Sequence, residues 1–183
     1  MNRIFIAFKI NSTVRQEILR RRNFILDGTV NNYKWESFKK IHTTIKFVGD
    51  VDKSILSKII DKLKCFNDYE KIESTLGNFG FFNKNNKPSI LWCGFYPDKK
   101  INSIVEKLNN SLYEIGIPKE EKLFKPHLTI LRIRGYEDVT LLNKFKDHNF
   151  DEMKFYLDEI AIYESKLLSS GSVYKEIKKY QLK

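Results

Sequence analysis

Two short segments of the chain repeat one pattern, and a fold that uses both must bring two distant strands together. They are 42–45, His-Thr-Thr-Ile, and 127–130, His-Leu-Thr-Ile, and they lie close to half the chain apart. In each HxTx segment a threonine follows a histidine by two residues at the start of an apolar run with β character. Residues i and i+2 of a strand point to the same face, so each segment presents an imidazole beside a hydroxyl. The repeat predicts two αβ lobes that arose by duplication, each contributing one motif strand to a common site.

The remaining patterns alternate between strand and helix along the whole chain. Strands are predicted over 4–8, 42–48, 72–76, 89–96, 127–133, 154–163 and 173–180, with a turn at 169–171. Helices are predicted over 54–66, 100–115 and 141–145, and from a cap at Asn11 or Ser12 to a stop at Asp27 and Gly28. The first helix is expected to turn its arginines, at 15 and 20–22, towards solvent. No linker rich in proline, glycine or serine divides the chain, so we expect one domain, 1–183, with two lobes.

The composition indicates a folded protein with an anionic partner. Lysine and arginine outnumber the acidic residues by 33 to 23, and 42% of the residues are hydrophobic. A formal net charge of +10 favours RNA or a nucleotide as partner, although an excess of lysine that only solubilises the surface would give the same charge. No apolar run is long enough to cross a bilayer or to serve as a signal peptide. We therefore expect a cytoplasmic monomer with no membrane partner.

The paired motif suits acid–base chemistry on a phosphodiester. Histidine titrates near neutrality, so one imidazole can accept a proton while another donates one. Thr44 and Thr129 can donate hydrogen bonds to the non-bridging oxygens. A single histidine in an apolar strand usually has a structural role, but two copies that share spacing, strand context and a following glycine indicate function. The third histidine, His148, lacks this frame and is predicted to lie at the surface.

The sequence predicts neither a metal nor a cofactor. It contains no His-x-x-x-His and no cluster of acids, and Cys65 and Cys93 have the surroundings of buried core residues rather than of metal ligands. A zinc site made by the two histidines and distant acids stays open as an alternative. The chain also lacks a glycine-rich phosphate loop, which argues against kinase or nucleotide-driven ligase chemistry.

The motifs resemble those of the two-histidine (2H) phosphoesterase superfamily, and in particular the bacterial and archaeal RNA 2′,3′-cyclic phosphodiesterase family, which is also described as 2′-5′ RNA ligase-like. The resemblance covers nearly the full chain. It is carried by 3–8, Trp35, 42–49, 79–82, 88–92, 124–132, 162–165, Gly171 and Tyr174.

This resemblance implies an α+β, bilobal fold of two pseudo-symmetric lobes, each with an antiparallel sheet and flanking helices, with the active groove between the sheets. It also implies a hydrolase that converts RNA 2′,3′-cyclic phosphate ends, or nucleoside 2′,3′-cyclic phosphates, to 2′-phosphates without a metal. If the roles of the matching family residues apply, His127 would be the proton acceptor that activates water and His42 the proton donor to the leaving 3′ oxygen. Thr44 and Thr129 would hold the phosphate.

Arg132 resembles the arginine that follows the second motif in this family, where it can meet the phosphate. Strict alternation, however, places Arg132 on the face opposite to His127 and Thr129. It reaches the site only if the strand twists, bulges or ends there, and otherwise it solvates the end of the strand. Alternation places Lys46 on the face of His42, where it would add positive charge to the groove.

Other functions remain open from the sequence. The enzyme could act on 2′–5′-linked oligonucleotides or run in reverse as a 2′-5′ RNA ligase, a choice that loops 28–40 and 81–88 would decide. A non-catalytic module that binds RNA ends is the alternative of another class, although such a binder has no need of two proton-transfer groups. Phe5 or Phe8 could stack on a terminal base, but core packing is the expected role of both. The sequence identifies neither the physiological RNA nor a base preference.

Overall fold

The structure, a computed structural model, describes residues 1–169 and 171–183, so the turn predicted at 169–171 lies partly outside it. The strands are β1 (Asn2–Lys9), β2 (His42–Val51), β3 (Ile72–Lys84), β4 (Lys87–Pro97), β5 (His127–Arg132), β6 (Met153–Leu157), β7 (Glu159–Leu168) and β8 (Gly171–Gln181). The helices are α1 (Ser12–Leu26), α2 (Lys53–Lys62), α3 (Ile101–Tyr113) and α4 (Val139–Asp147), with short 3₁₀ helices at Phe38–Lys40 and Leu63–Asp68. None of the helices in these two stretches is long and apolar enough to span a membrane.

The strands form two four-stranded antiparallel sheets, which confirms the predicted bilobal α+β fold. The first sheet has the order β2-β1-β7-β8 and the second has the order β5-β4-β3-β6. Each motif strand, β2 or β5, therefore lies at the edge of its own sheet. A helix precedes each motif strand and connects it to the neighbouring strand of its sheet, since α1 joins β1 to β2 and α3 joins β4 to β5. This equivalence gives the two lobes their pseudo-symmetry.

The lobes are not the two halves of the chain. The first sheet takes the first two and the last two strands, and the second takes the four strands between them. The single strand predicted over 154–163 was wrong, since the chain breaks at Asp158 into β6 and β7, which belong to different sheets. Apolar periodicity continues through both strands and carries no information about which neighbour each one pairs with.

Helix α1 begins as predicted but buries one of its arginines. The side chain of Asn11 accepts a hydrogen bond from the Val14 amide, and Asp27 ends the helix in the left-handed conformation with φ of 43°. Arg21, expected on the polar face, is only 1% exposed. The reason is that α1 packs against the other lobe, where the guanidinium donates to the carbonyl oxygens of Gly77 at 2.9 Å and Asp151 at 2.7 Å.

Candidate active site

The two motif histidines are held by the same local contact. His42 opens β2 and places Nδ1 2.6 Å from the carbonyl oxygen of Lys40, and His127 opens β5 with Nδ1 2.7 Å from the carbonyl oxygen of Lys125. A carbonyl oxygen only accepts hydrogen bonds, so Nδ1 donates in both cases. The neutral ring then carries its proton on Nδ1, which leaves Nε2 as the nitrogen that can take up or deliver a proton.

The threonines lie on the same faces as the histidines. Nε2 of His42 is 3.1 Å from the hydroxyl oxygen of Thr44, which donates to it while the ring is neutral. Thr129 is partly buried beside His127 and is paired with Trp92 on the neighbouring strand. Nε2 of His127 has no hydrogen-bond partner in the part of the chain that the structure describes.

A β-bulge in β5 brings Arg132 to the face of the histidine. Thr129 and Leu131 pair with successive residues of β4, which leaves Ile130 unpaired between them. Ile130 and Leu131 are consequently both buried, while Arg132 is exposed. A bulge reverses the alternation of every residue that follows it, so Arg132 lies on the face of His127 and not opposite to it. The structural condition under which Arg132 reaches the site is therefore present.

An equivalent bulge in β2 makes the prediction for Lys46 wrong. Thr44 and Lys46 pair with successive residues of β1, which leaves Ile45 unpaired. Lys46 is turned away from the groove, is 5% exposed, and donates from Nζ to the carbonyl oxygen of Pro118 at 2.7 Å. Phe47 takes the groove position in its place and is 67% exposed.

Phe47 is a candidate site residue that sequence reasoning missed. It is the fifth residue after the first motif histidine, as Arg132 is the fifth after the second. Counting residues from each histidine would have shown this equivalence, whereas strict alternation places Phe47 on the face opposite to His42.

The loop between α1 and β2 holds the bulge of the other lobe. The backbone amide of Glu36 donates to the carbonyl oxygen of the bulged Ile130 at 2.8 Å, and Trp35 forms a bridge with Leu131. The Glu36 carboxylate also lies 3.7 Å from Nε of Arg132. The first lobe thus fixes the backbone and the side chain of a candidate phosphate ligand in the second.

Burial and positive charge both lower the pKa of the histidines. Burial is the largest cause for His42 and for His127, and it outweighs the hydrogen bonds to the carbonyl oxygens, which raise the pKa. The positive charge of Arg132 lowers the pKa of both rings, and that of His127 also lowers the pKa of His42. A positive charge on one of these side chains therefore opposes protonation of a neighbouring ring. Each lowered pKa favours the neutral imidazole in the free protein.

Aromatic rings supply much of this burial. The ring of Phe5 lies 5.0 Å from the His42 ring, Tyr174 meets the same imidazole edge-on at 5.4 Å, and Phe82 meets His127 at 4.8 Å. Phe5 is 3% exposed and Phe8 is 0% exposed, which confirms core packing for both.

Two further expectations concern residues outside the paired motifs. No group of three or more histidine, cysteine or acidic side chains that could hold a metal occurs in 1–169 and 171–183. His148 ends α4, where its Nδ1 donates to the carbonyl oxygen of Lys144 at 2.8 Å and its ring packs against Phe24 and Phe150. It is partly buried, so its expected place at the surface is only partly correct.

Known proteins resemble the chain in sequence and in fold. The family described as "LigT like Phosphoesterase" matches residues 9–92 and 96–174. The RNA 2′,3′-cyclic phosphodiesterase of Thermotoga maritima is 30% identical, covering 94% of this chain and 91% of the relative. The protein of the same name from Methanocaldococcus jannaschii is 29% identical over 97% of this chain and 99% of its own.

The structural neighbours agree in fold at lower sequence identity. The protein TT0787 of Thermus thermophilus superposes with a TM-score of 0.81 at 20% identity, covering 98% of this chain and 97% of that one. E. coli LigT complexed with 3′-AMP gives 0.79 at 17% identity, covering 99% and 98%. At these identities the likeness establishes the fold alone.

Proposed function

The chain belongs to the LigT-like phosphoesterase family, and on that premise we propose that it hydrolyses 2′,3′-cyclic phosphates at RNA ends to 2′-phosphates. The observation that carries the proposal is the matched pair of histidines on the edge strands of two sheets. Each donates from Nδ1 to the carbonyl oxygen two residues earlier, and each keeps Nε2 for proton transfer. The relatives from Thermotoga maritima and Methanocaldococcus jannaschii, named RNA 2′,3′-cyclic phosphodiesterases, support the substrate class.

In the proposed reaction each histidine handles one proton. Nε2 of His127 removes a proton from water as the water oxygen bonds to phosphorus, and protonated His42 delivers a proton from Nε2 to the 3′ oxygen as the bond between phosphorus and that oxygen breaks. The products are a 2′-phosphate and a free 3′ hydroxyl. The pKa of His42 is lowered in the free protein, so the negative charge of the bound phosphate helps to hold its proton.

The remaining groove residues bind the substrate in this proposal. Thr44 and Thr129 donate hydrogen bonds to the non-bridging oxygens, and Arg132 pairs with their charge, which is a favoured use of a guanidinium. The exposed ring of Phe47, on the other wall of the groove, offers a face on which a base can stack.

We also propose that the whole chain, 1–183, works as one domain and as a cytoplasmic monomer. One chain supplies both histidines, and the loop at Trp35 and Glu36 from one lobe holds the Arg132 strand of the other. Cys65 and Cys93 are free thiols, as is usual in a reducing compartment.

Product analysis tests the proposal. We expect the purified chain, with EDTA present, to convert an oligoribonucleotide 2′,3′-cyclic phosphate to the 2′-phosphate, identified by chromatography against both isomers. His42→Ala or His127→Ala should each reduce turnover by about 10²–10⁴-fold, the usual contribution of general acid–base catalysis. His148→Ala is the matched control and should retain full turnover.

Two results would contradict the proposal in different ways. Binding without turnover in the native chain would indicate an RNA-end binding module. A 3′-phosphate product would show that the 2′ oxygen leaves, and the roles of the two histidines would have to be reassigned.

A further inference from the structure

A cavity of about 270 Å³ opens directly beside His42 on the first lobe. One wall is aromatic, since the rings of Tyr163 and Tyr174 both pack against the buried ring of Phe5, at centroid distances of 5.1 and 5.0 Å. A basic rim faces this wall. It consists of Arg15, Lys39 and Lys40.

The charges on this basic rim are not neutralised by the protein. Within 1–169 and 171–183, no acidic side chain lines the cavity, and Arg15, Lys39 and Lys40 take part in no salt bridge. Nε of Arg15 is buried and has no hydrogen-bond partner among these residues. Lys9, at the same cavity, differs because it pairs with Glu159 and with a second glutamate. Arg15 also donates from Nη1 to the carbonyl oxygen of Phe38, and Lys40 lies over the Tyr174 ring, but neither contact supplies a negative charge. Three cations without an acidic partner at one cavity favour an anionic ligand.

A second cavity differs from the first in that acidic side chains accompany its lysines. It has a volume of about 430 Å³ and is lined by basic and acidic side chains together. Its Lys100 pairs with Glu70 and its Lys183 with Asp68. Two of the three lysines at this cavity therefore have carboxylate partners, and the third, Lys71, lies over the Tyr156 ring among acidic side chains that also line the cavity.

The stereochemistry of the proposed reaction selects the occupant of the first cavity. The attacking water approaches from His127, and the 3′ oxygen departs towards His42. That oxygen belongs to the terminal ribose, so the RNA attached to this ribose lies on the side of His42. The cavity beside His42 combines cations for backbone phosphates with aromatic faces for bases, the two elements by which proteins hold single-stranded RNA.

We infer that the cavity lined by Arg15, Lys39, Lys40 and Tyr174 docks the single-stranded RNA on the 5′ side of the cyclic phosphate. The inference rests on the proposed function and on the acid role of His42. It predicts that an oligonucleotide substrate is preferred over a nucleoside 2′,3′-cyclic phosphate, which has no backbone phosphate to offer.

The kinetic test measures kcat/KM for these two substrates in the native chain and in the double variant Lys39→Gln/Lys40→Gln. The backbone carbonyl of Lys40 survives the change, so the hydrogen bond to His42 is retained. We expect kcat/KM for the oligonucleotide to fall at least about tenfold relative to that for the nucleoside, since charge-assisted hydrogen bonds are lost. The slope of log kcat/KM for the oligonucleotide against log salt should become shallower by about 1.4, or about 0.7 for each lost charge. Lys100→Gln, at the second cavity, is the control and should change neither quantity.

A binding measurement separates this inference from the proposed function. A labelled oligoribonucleotide that ends in a 2′-phosphate is titrated with each protein and followed by fluorescence anisotropy, which requires no turnover. Val173→Glu, which places a negative charge at the exposed rim of the same cavity, should weaken binding as the lysine changes do.

Each outcome decides one question. Equal affinity of the native chain and both cavity variants would overturn the inference, whether or not the chain is an enzyme. Weakened binding by both, with no turnover in the native chain, would support the docking surface and refute the proposed function. Turnover with an unchanged ratio of oligonucleotide to nucleoside kcat/KM would refute the docking surface alone.

Discussion

Replacing Arg21 should weaken the packing between the lobes. Its guanidinium is 1% exposed and makes three charged hydrogen bonds, to Glu17 at 2.7 Å and to the carbonyl oxygens of Gly77 and Asp151 at 2.9 and 2.7 Å. It also lies over the Phe150 ring, 5.0 Å from its centre. These contacts connect α1 to β3 and to the segment before β6.

In Arg21→Met the apolar side chain fills much of the space but cannot donate. The carbonyl oxygen of Asp151 loses its side-chain donor, and that of Gly77 keeps only the weak thiol donor of Cys93 at 3.6 Å, where an unpaired buried acceptor costs about 1–3 kcal/mol. Glu17 keeps only its exposed partner, Arg20. We expect a total loss of about 3–5 kcal/mol, the usual cost of breaking a buried charged pair and a large share of the stability of a typical domain. We expect the midpoint of urea unfolding to fall accordingly with an unchanged m-value.

Arg20→Met is the matched control because it removes the other partner of the same glutamate at an exposed position. Arg20 has a side-chain exposure of 62%, so solvent screens its ion pair and the loss should be much smaller than for Arg21→Met. Similar losses in the two variants, or a loss below about 1 kcal/mol for Arg21→Met, would show that the buried carbonyl oxygens find other partners and would refute this reasoning.

Three further predictions concern the groove. The pKa of both His42 and His127 lies below the ordinary 6.5, and the proposed reaction needs His42 protonated and His127 neutral in the free enzyme. We therefore expect kcat/KM to peak below pH 6.5. A maximum at or above about pH 7 in a pH–rate profile would contradict this. Arg132→Met removes a positive charge that lowers both values, so the profile should move to higher pH while kcat/KM falls; Arg132→Lys, which keeps the charge, should show much less of the pH shift. Phe47→Ala should raise KM by about 5–100-fold, the contribution of one stacked base, with little change in kcat. Equal KM values for the variant and the native chain in steady-state assays would exclude stacking.

The local structure could be predicted from the sequence because it depends on neighbouring residues. The apolar run of β1, the Asn11 cap and the left-handed stop at Asp27 are all read from side chains within a few positions of one another. The candidate acid–base pair was visible for the same reason, since the spacing of histidine and threonine in a strand fixes their common face.

What the sequence left undecided depends on pairing between distant segments. At Ile45 and at Ile130 the motif strand has one residue more than the neighbouring strand between two successive pairs, and that register is a property of two strands together. These bulges exclude Lys46 from the groove and place Phe47 and Arg132 in it.

The chain by itself thus identified the two candidate histidines and the face of each strand that carries them, because the repeated motif and strand periodicity are both local patterns. Only the tertiary structure decided which residues after each motif enter the groove, and that Arg21 is an interior residue. The register of a strand and the burial of a side chain depend on the distant segments that pack against them, so the local sequence around a residue does not predict either one.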